Sequence, residues 1–127
     1  MNTNRSVGAI GEEFAAQYLR DHDFIIQNRN ATSRWGELDI VAEKDGKIYF
    51  VEVKTRISTR HGNPYEAVDG LKVRKLARTI QYFVLANRLE KRKMQLDVIS
   101  VELNSDYSLK KLKRYENIVI PVKTGIP

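Results

Sequence analysis

The sequence predicts an α/β fold in which a central mixed sheet is flanked by helices, one on each face. Three observations carry that expectation. Apolar residues recur at helical spacing from Arg5 to Arg20, and again from Ala67 to about Leu89. Between them, Glu37 to Ala42 and Lys47 to Lys54 are short runs apolar on both sides, as strands in the middle of a covered sheet must be. A further run, Met94 to Leu103, follows the second helical stretch. The resulting order, α-β-β-β-α-β, is that of a layered sheet-and-helix domain.

On the first helix, Val7, Gly11, Phe14, Ala15, Tyr18 and Leu19 share one arc at about 100° per residue. Glu12 lies at the edge of that arc beside Leu19, whereas Glu13 lies on the far side, so Glu12 is the acid that looks inward. Phe24 to Asn28 reads as a short strand and Asn30 to Gly36 as a loop. The Lys44-Asp45-Gly46 segment has hairpin composition and sets the strands on either side antiparallel. Thr55 to Glu66 is a polar loop containing Gly62 and Pro64. On the second helix Leu76, Ile80, Phe83 and Val84 form an apolar stripe; Lys72, Lys75 and Arg78 form a basic one, flanked by Arg74. Leu109 to Tyr115 alternates less cleanly and is a candidate fifth strand. A single domain over residues 1–116 with a tail over 117–127 is expected, and 127 residues can bury a core without disulfide or metal staples.

The chain has no cysteine, which excludes disulfides and thiolate metal sites, and its two histidines, His22 and His61, argue against a histidine-rich zinc centre. Carboxylate oxygen is left for metal chemistry, which suits Mg2+ or Mn2+. No apolar run approaches the roughly 20 residues of a membrane span, and the first residues contain no signal-peptide core, so a cytoplasmic protein without a membrane partner is expected. The net charge of +6 is uneven. Residues 1–66 hold nine Lys/Arg and ten Asp/Glu, a net of −1; residues 67–127 hold thirteen and six, a net of +7. A basic surface of this kind attracts phosphate backbones.

The strongest chemical signal is Asp39 followed, thirteen residues on, by Glu52-Val53-Lys54. Side chains alternate along a strand, so Glu52 and Lys54 project from one face, with Ile48 and Phe50. Antiparallel pairing across the Lys44–Gly46 turn brings Asp39 beside Glu52 or Lys54. Two carboxylates in an apolar neighbourhood resist joint ionisation, and a hard divalent cation relieves that repulsion. The Val53 carbonyl could add an oxygen ligand, and Glu12 could complete the shell. Lys54, protonated, cannot be a ligand; it can orient an attacking water or offset charge on a phosphate. The competing reading is a buried Asp39–Lys54 ion pair with Glu52 an ordinary strand carboxylate.

The segments GAIGEEFAAQYL (8–19), RWGELDIVA (34–42), YFVEVKTR (49–56), GNPYEAV (62–68) with Lys72, and LDVISVE (96–102) resemble the YraN family of small bacterial proteins. The likeness runs across roughly the first 100 residues. That family looks like the restriction-endonuclease-like superfamily, the PD-(D/E)XK nucleases, and within it is most similar to archaeal Holliday junction resolvases. The resemblance implies a restriction-endonuclease-like α-β-β-β-α-β core. It also implies magnesium held by an Asp, a Glu and a helix Glu beside a lysine; carried over, these are Asp39, Glu52, Glu12 and Lys54. Gly8, four residues before Glu12, matches the resolvase spacing. The chain departs from the pattern in having no proline before Asp39, and Gln95 where family members usually carry arginine.

The expectation that follows is a metal-dependent endonuclease hydrolysing phosphodiester bonds in structured or branched DNA. The alternatives are a nucleic-acid-binding module without turnover on the same fold, and a protein-interaction domain with a vestigial site. Arg34 and Arg56 flank the site as candidate phosphate contacts, and Lys72, Lys75 and Arg78 as a phosphate-tracking stripe. Cleavage of both strands of a junction would favour a homodimer. Glu37 is a candidate supporting acceptor, and Trp35 a candidate stacking residue for which partial core packing is the simpler role. His61 reads as a solvated loop residue and Asp97 as structural.

Overall fold

The computed structural model describes residues 3–58 and 73–119. Its elements are α1 (Thr3–Asp21), β1 (Ile25–Ser33), β2 (Gly36–Lys44), β3 (Lys47–Ile57), α2 (Val73–Ala86), β4 (Met94–Leu103) and β5 (Leu109–Tyr115). The strands form one mixed sheet in the order β1-β2-β3-β4-β5. All neighbours pair antiparallel except β3 and β4, which are parallel and joined by the segment that contains α2. This is the α/β core expected from the sequence, and Leu109–Tyr115 is indeed a strand.

The two helices cover opposite faces of the sheet. Ala15, Ala16 and Leu19 of α1 pack on Ile40, Ala42, Val51, Ile99, Val101 and Leu103. Leu76, Ile80 and Val84 of α2 pack on Leu38, Val41, Ile48, Phe50 and Leu96. Small side chains on α1 let the helix lie close to the sheet. At Gly11 the approach is closest: a Cβ there would overlap the Thr55 side chain on β3. Any side chain at Gly11 would push the first turns of α1, and Glu12 with them, away from β3.

Both helices end in the same device. Asp23 takes the left-handed conformation (φ 69°), and the Phe24 N–H donates to Leu19 O at 2.9 Å. Arg88 does likewise (φ 55°), and the Leu89 N–H donates to Val84 O at 2.9 Å. Each closes the last turn on an apolar pair, Phe24 with Leu19 and Leu89 with Val84.

The first strand runs further than its apolar residues suggest. Asn30 to Ser33 belongs to β1, not to a loop, so the connection to β2 shrinks to Arg34-Trp35. Polar residues can occupy β1 because it is an edge strand. The β2–β3 hairpin turns on Asp45-Gly46, both with positive φ (51° and 78°), as a tight primed turn requires. Beyond β5, the Asn117 N–H donates to Asp97 Oδ1 and the Ile118 N–H to Leu96 O, so the chain stays tied to β4 past Tyr115. No described helix is long and apolar enough to cross a membrane.

Candidate active site

The regular alternation of β2 slips at Asp39. Ile40 and Ala42 pack under α1, but Leu38 packs under α2 together with Val41. Two features mark the slip. On one side, the β2–β3 ladder stops at Ile40↔Val51. On the other, Asn30, facing Asp39 between the Ala31↔Leu38 and Arg29↔Ile40 pairs, has a positive φ of 53°. With the ladder open, the backbone N–H groups are bonded by side chains. The Asp39 N–H donates to Glu52 Oε2 at 3.2 Å, and the Val53 N–H donates to Asp39 Oδ2 at 2.8 Å. Each acid thus ties down the other's strand, and the two carboxylates are neighbours.

Both pay for this placement in electrostatics. Burial pushes the Glu52 carboxyl up to about 8, and the Asp39 charge adds to the rise. Burial also pushes Asp39 up to about 6, against the Val53 N–H bond that favours its ionised form; the charges of Glu12 and Glu37 raise it further. Lys54 pulls both acids down, but less than burial raises them. Lys54 is exposed, and among the described residues it makes no salt bridge with either acid. The buried Asp39–Lys54 ion pair is therefore not formed here.

Glu12 does look inward. Its side chain is 16% exposed against 63% for Glu13. It lines a cleft between α1 and the end of β3 with Val7, Gly8, Val53, Lys54 and Thr55, and its charge reaches Asp39. Its Oε1, however, lies 3.7 Å from Arg29 Nη2, while Arg29 Nη1 donates to Glu13 Oε2 at 3.1 Å. Glu37 is exposed, accepts from Thr32 Oγ1, and adds negative charge near Asp39 and Glu52. The centre is thus acidic, with Lys54 at its rim.

A hard divalent cation fits this centre in kind, since every candidate donor is an oxygen, of a carboxylate or of the Val53 carbonyl. In arrangement, Asp39 and Glu52 are the pair that fits, and the Val53 peptide is at the site through its N–H. Among the described residues no group of three acids or histidines stands together as a ready ligand set. Glu12, engaged by Arg29, is the acid that stands off.

The basic residues divide. Arg34 and Arg78 bracket one indole, their guanidinium carbons 4.9 and 5.0 Å from the Trp35 ring centre. Lys75 lies beside Gly36. Arg56 is half-buried on β3, opposite Glu102 of β4, whose charged form it favours. Lys72 and His61 lie outside the described residues. Asp97 is fully buried and structural by its contacts. It accepts from Arg114 Nε (2.9 Å), Gln95 Nε2 (2.7 Å) and the Asn117 N–H, and Arg114 Nη2 stands 2.8 Å from Oδ2. Sequence reasoning missed Arg29 because β1 was ended at Asn28. The alternating Arg29/Ala31 register against Ile40 and Leu38 places it, but nothing local announces it.

The fold and its site define an α/β domain with an acidic pair set where two central strands part. The chain belongs to the family described as "Uncharacterised protein family UPF0102", whose model matches residues 11–101, a span that includes Glu12, Asp39, Glu52 and Lys54. This is the family read from the sequence blocks. Among its relatives, the UPF0102 protein of Syntrophomonas wolfei is 46% identical over 98 residues, covering 77% of this chain and 85% of its own. That of Persephonella marina is 40% identical over 103 residues (81% and 89%). A Clostridium botulinum relative is 37% identical over 114 residues (87% and 93%).

Proposed function

We propose that the protein is a metal-dependent phosphodiesterase acting on nucleic acid, DNA in the first instance, with Asp39 and Glu52 as the cation-holding pair. The observation that carries this reading is the pair itself: two neighbouring carboxylates, one 9% exposed, that share no salt bridge and whose burial raises both. A cation joining two such acids would relieve their mutual repulsion and favour the ionised form of both. A phosphodiester, itself anionic, would be repelled by Glu12, Glu37, Asp39 and Glu52 together unless their charge were offset.

Bound between Asp39 and Glu52, Mg2+ or Mn2+ would polarise a phosphate oxygen and make hydroxide available from water near neutral pH. The chain's own residues do the rest. The reciprocal bonds of Asp39 and Glu52 to each other's strands fix the two carboxylates before substrate arrives. Lys54, at the rim and without a salt bridge among the described residues, would meet charge on the phosphate or orient water. Glu12, parted from Arg29, would be a further ligand.

A second reading, a nucleic-acid-binding module without turnover, is favoured by the Glu12–Arg29 contact, which leaves the acid set incomplete. The deciding experiment is a cleavage screen with linear, flapped and four-way DNA in Mg2+ and in Mn2+. Cleavage by the wild type, lost in Lys54→Ala and Glu52→Gln, is the expected result. Binding without cleavage, unchanged in Glu52→Gln, would establish the second reading instead.

A further inference from the structure

The β1–β2 connection is an unusual turn. It has only two residues, Arg34 and Trp35, between the paired Ser33 and Gly36, yet neither has the positive φ that two-residue hairpins favour. Side chains hold it instead. Ser33 Oγ donates to Gly36 O at 3.2 Å and accepts from the Trp35 N–H at 3.1 Å. Thr79 Oγ1, on α2, donates to Trp35 O at 2.9 Å. Gly36 is needed for this docking, since its φ is 144° and a Cβ would stand 2.7 Å from Thr79 Oγ1.

The effect is to fix a half-buried indole at the surface against the guanidinium groups of Arg34 and Arg78, with Lys75 beside Gly36. Among the described residues none of these three cations forms a salt bridge. Two guanidinium groups about 5 Å from the centre of one ring repel each other, and the ring face offsets only part of that. An anionic partner removes the repulsion. Beyond Thr79 a groove of about 270 Å³ continues from the turn, with Asn28, Thr32, Ser33, Tyr82 and Asn87 in its walls. It offers amides, hydroxyls and the rings of Tyr82 and Phe83, the groups that meet the edges and faces of a base.

We propose that the Arg34–Trp35–Arg78 stack and the adjoining groove bind an unpaired nucleotide of the substrate. A guanidinium already seated on an indole presents its outer face for a base and its N–H edge for a phosphate. Duplex DNA conceals base faces and cannot use such a surface. Trp35 precedes Asp39 by four residues on an extended strand, about 13 Å at 3.3 Å per residue. The inference rests on the phosphodiesterase reading for the location of the reacting bond, and it narrows the substrate to nucleic acid with a single-stranded segment next to that bond.

Trp35 is the only tryptophan in the chain and so reports on itself. Its emission is followed in EDTA, where no metal-dependent turnover occurs, during titration with oligothymidylate, an abasic strand of equal length, and a duplex. Binding is followed in parallel by anisotropy of labelled strands. Oligothymidylate should quench the emission, and the abasic strand and duplex should not. Trp35→Ala should weaken oligothymidylate binding about 5- to 150-fold, as loss of one stacked base does, with Trp35→Phe recovering part of it. Glu52→Gln should quench as wild type does, so failure of the catalytic reading leaves this result standing. Equal quenching by the abasic strand would reduce the surface to a phosphate contact and overturn the proposal. So would equal quenching by the duplex, or undiminished binding by a folded Trp35→Ala.

Discussion

Asp97 and Glu52 are buried acids and Asp39 a half-buried one, all on neighbouring strands, and they are resolved in opposite ways. Asp97 is shut off from solvent and saturated: Arg114, Gln95 and the Asn117 N–H all donate to it. Burial works against the charge of Arg114, but its bonds to Asp97 hold the guanidinium above its ordinary range. Asp39 and Glu52 receive one backbone N–H each from the other's strand and, among the described residues, no salt bridge, and both carboxyls rise. Burial alone therefore does not decide how the charge of an acid is met. The difference is whether the compensating cation is covalently part of the chain. At Asp97 it is, and β5 is fastened by it. At Asp39 and Glu52, among the described residues, no cationic side chain forms a salt bridge.

The largest effect expected from this contrast is at Arg114. Removing one partner of a buried pair leaves an uncompensated charge and costs about 3–5 kcal/mol. Arg114→Ala should lose that much in a denaturant melt near neutral pH. Lys54→Ala, at an exposed position, should lose under about 1 kcal/mol. Comparable losses in the two variants would mean that Lys54 serves Asp39 as Arg114 serves Asp97, and the comparison would break.

The pH dependence of stability sharpens the same point. The folded Asp39 and Glu52 carboxyls lie at about 6 and about 8, above their unfolded values near 3.8 and 4.5. For acids raised in this way, the stabilising contribution is fully present below the unfolded values. It is lost as pH climbs through 6 and then 8, because the unfolded chain releases its protons first. Each tenfold difference in proton affinity between the folded and unfolded chain is worth about 1.4 kcal/mol, so the metal-free protein should lose on the order of a few kcal/mol between pH 5 and 9. Glu52→Gln still accepts from the Asp39 N–H and cannot ionise. It should flatten the upper part of the profile and be the more stable protein at pH 9. Parallel profiles for the two proteins would show Glu52 to be already neutralised.

What the sequence made legible follows from what repeats locally. The helical stripes, the Asp45-Gly46 turn and the two-sided apolar strands place α1, β2, β3, α2 and β4, because burial imposes those periods. The Asp39–Glu52 neighbourhood followed from strand parity and one hairpin. The continuation of β1 to Ser33 did not follow: an edge strand need not be apolar, and Asn30 and Thr32 look like a loop. The slip at Asp39 was hidden as well, since alternation alone puts Leu38 and Ile40 on one face. Arg29, Gly11 and Thr79 act through contacts between elements distant in sequence. Glu12 shows the limit of helical arcs, which turn it inward but do not reveal the arginine that holds it.

The smallest effect concerns metal affinity. Near pH 7 the empty pair holds about one proton, since Glu52, at about 8, is mostly neutral and Asp39, at about 6, mostly charged. A cation that takes both carboxylates must displace that proton, so binding and deprotonation are linked. Between pH 6 and 8 the apparent Kd for Mn2+ should fall about tenfold per pH unit, some 1.4 kcal/mol each, and level off above 8. At a hundredfold excess over Kd, Mn2+ should stabilise the fold by about 2.7 kcal/mol, with EDTA as the zero point. Mn2+ should act at least as strongly as Mg2+. Calorimetric titrations in two buffers of different ionisation heat measure the released proton directly. Glu52→Gln, with no proton to give, should bind weakly and release none. An Mn2+ affinity that stays flat from pH 6 to 8 in the wild type would place the ion elsewhere than between Asp39 and Glu52, and would leave the pair as strained but silent as it stands without metal.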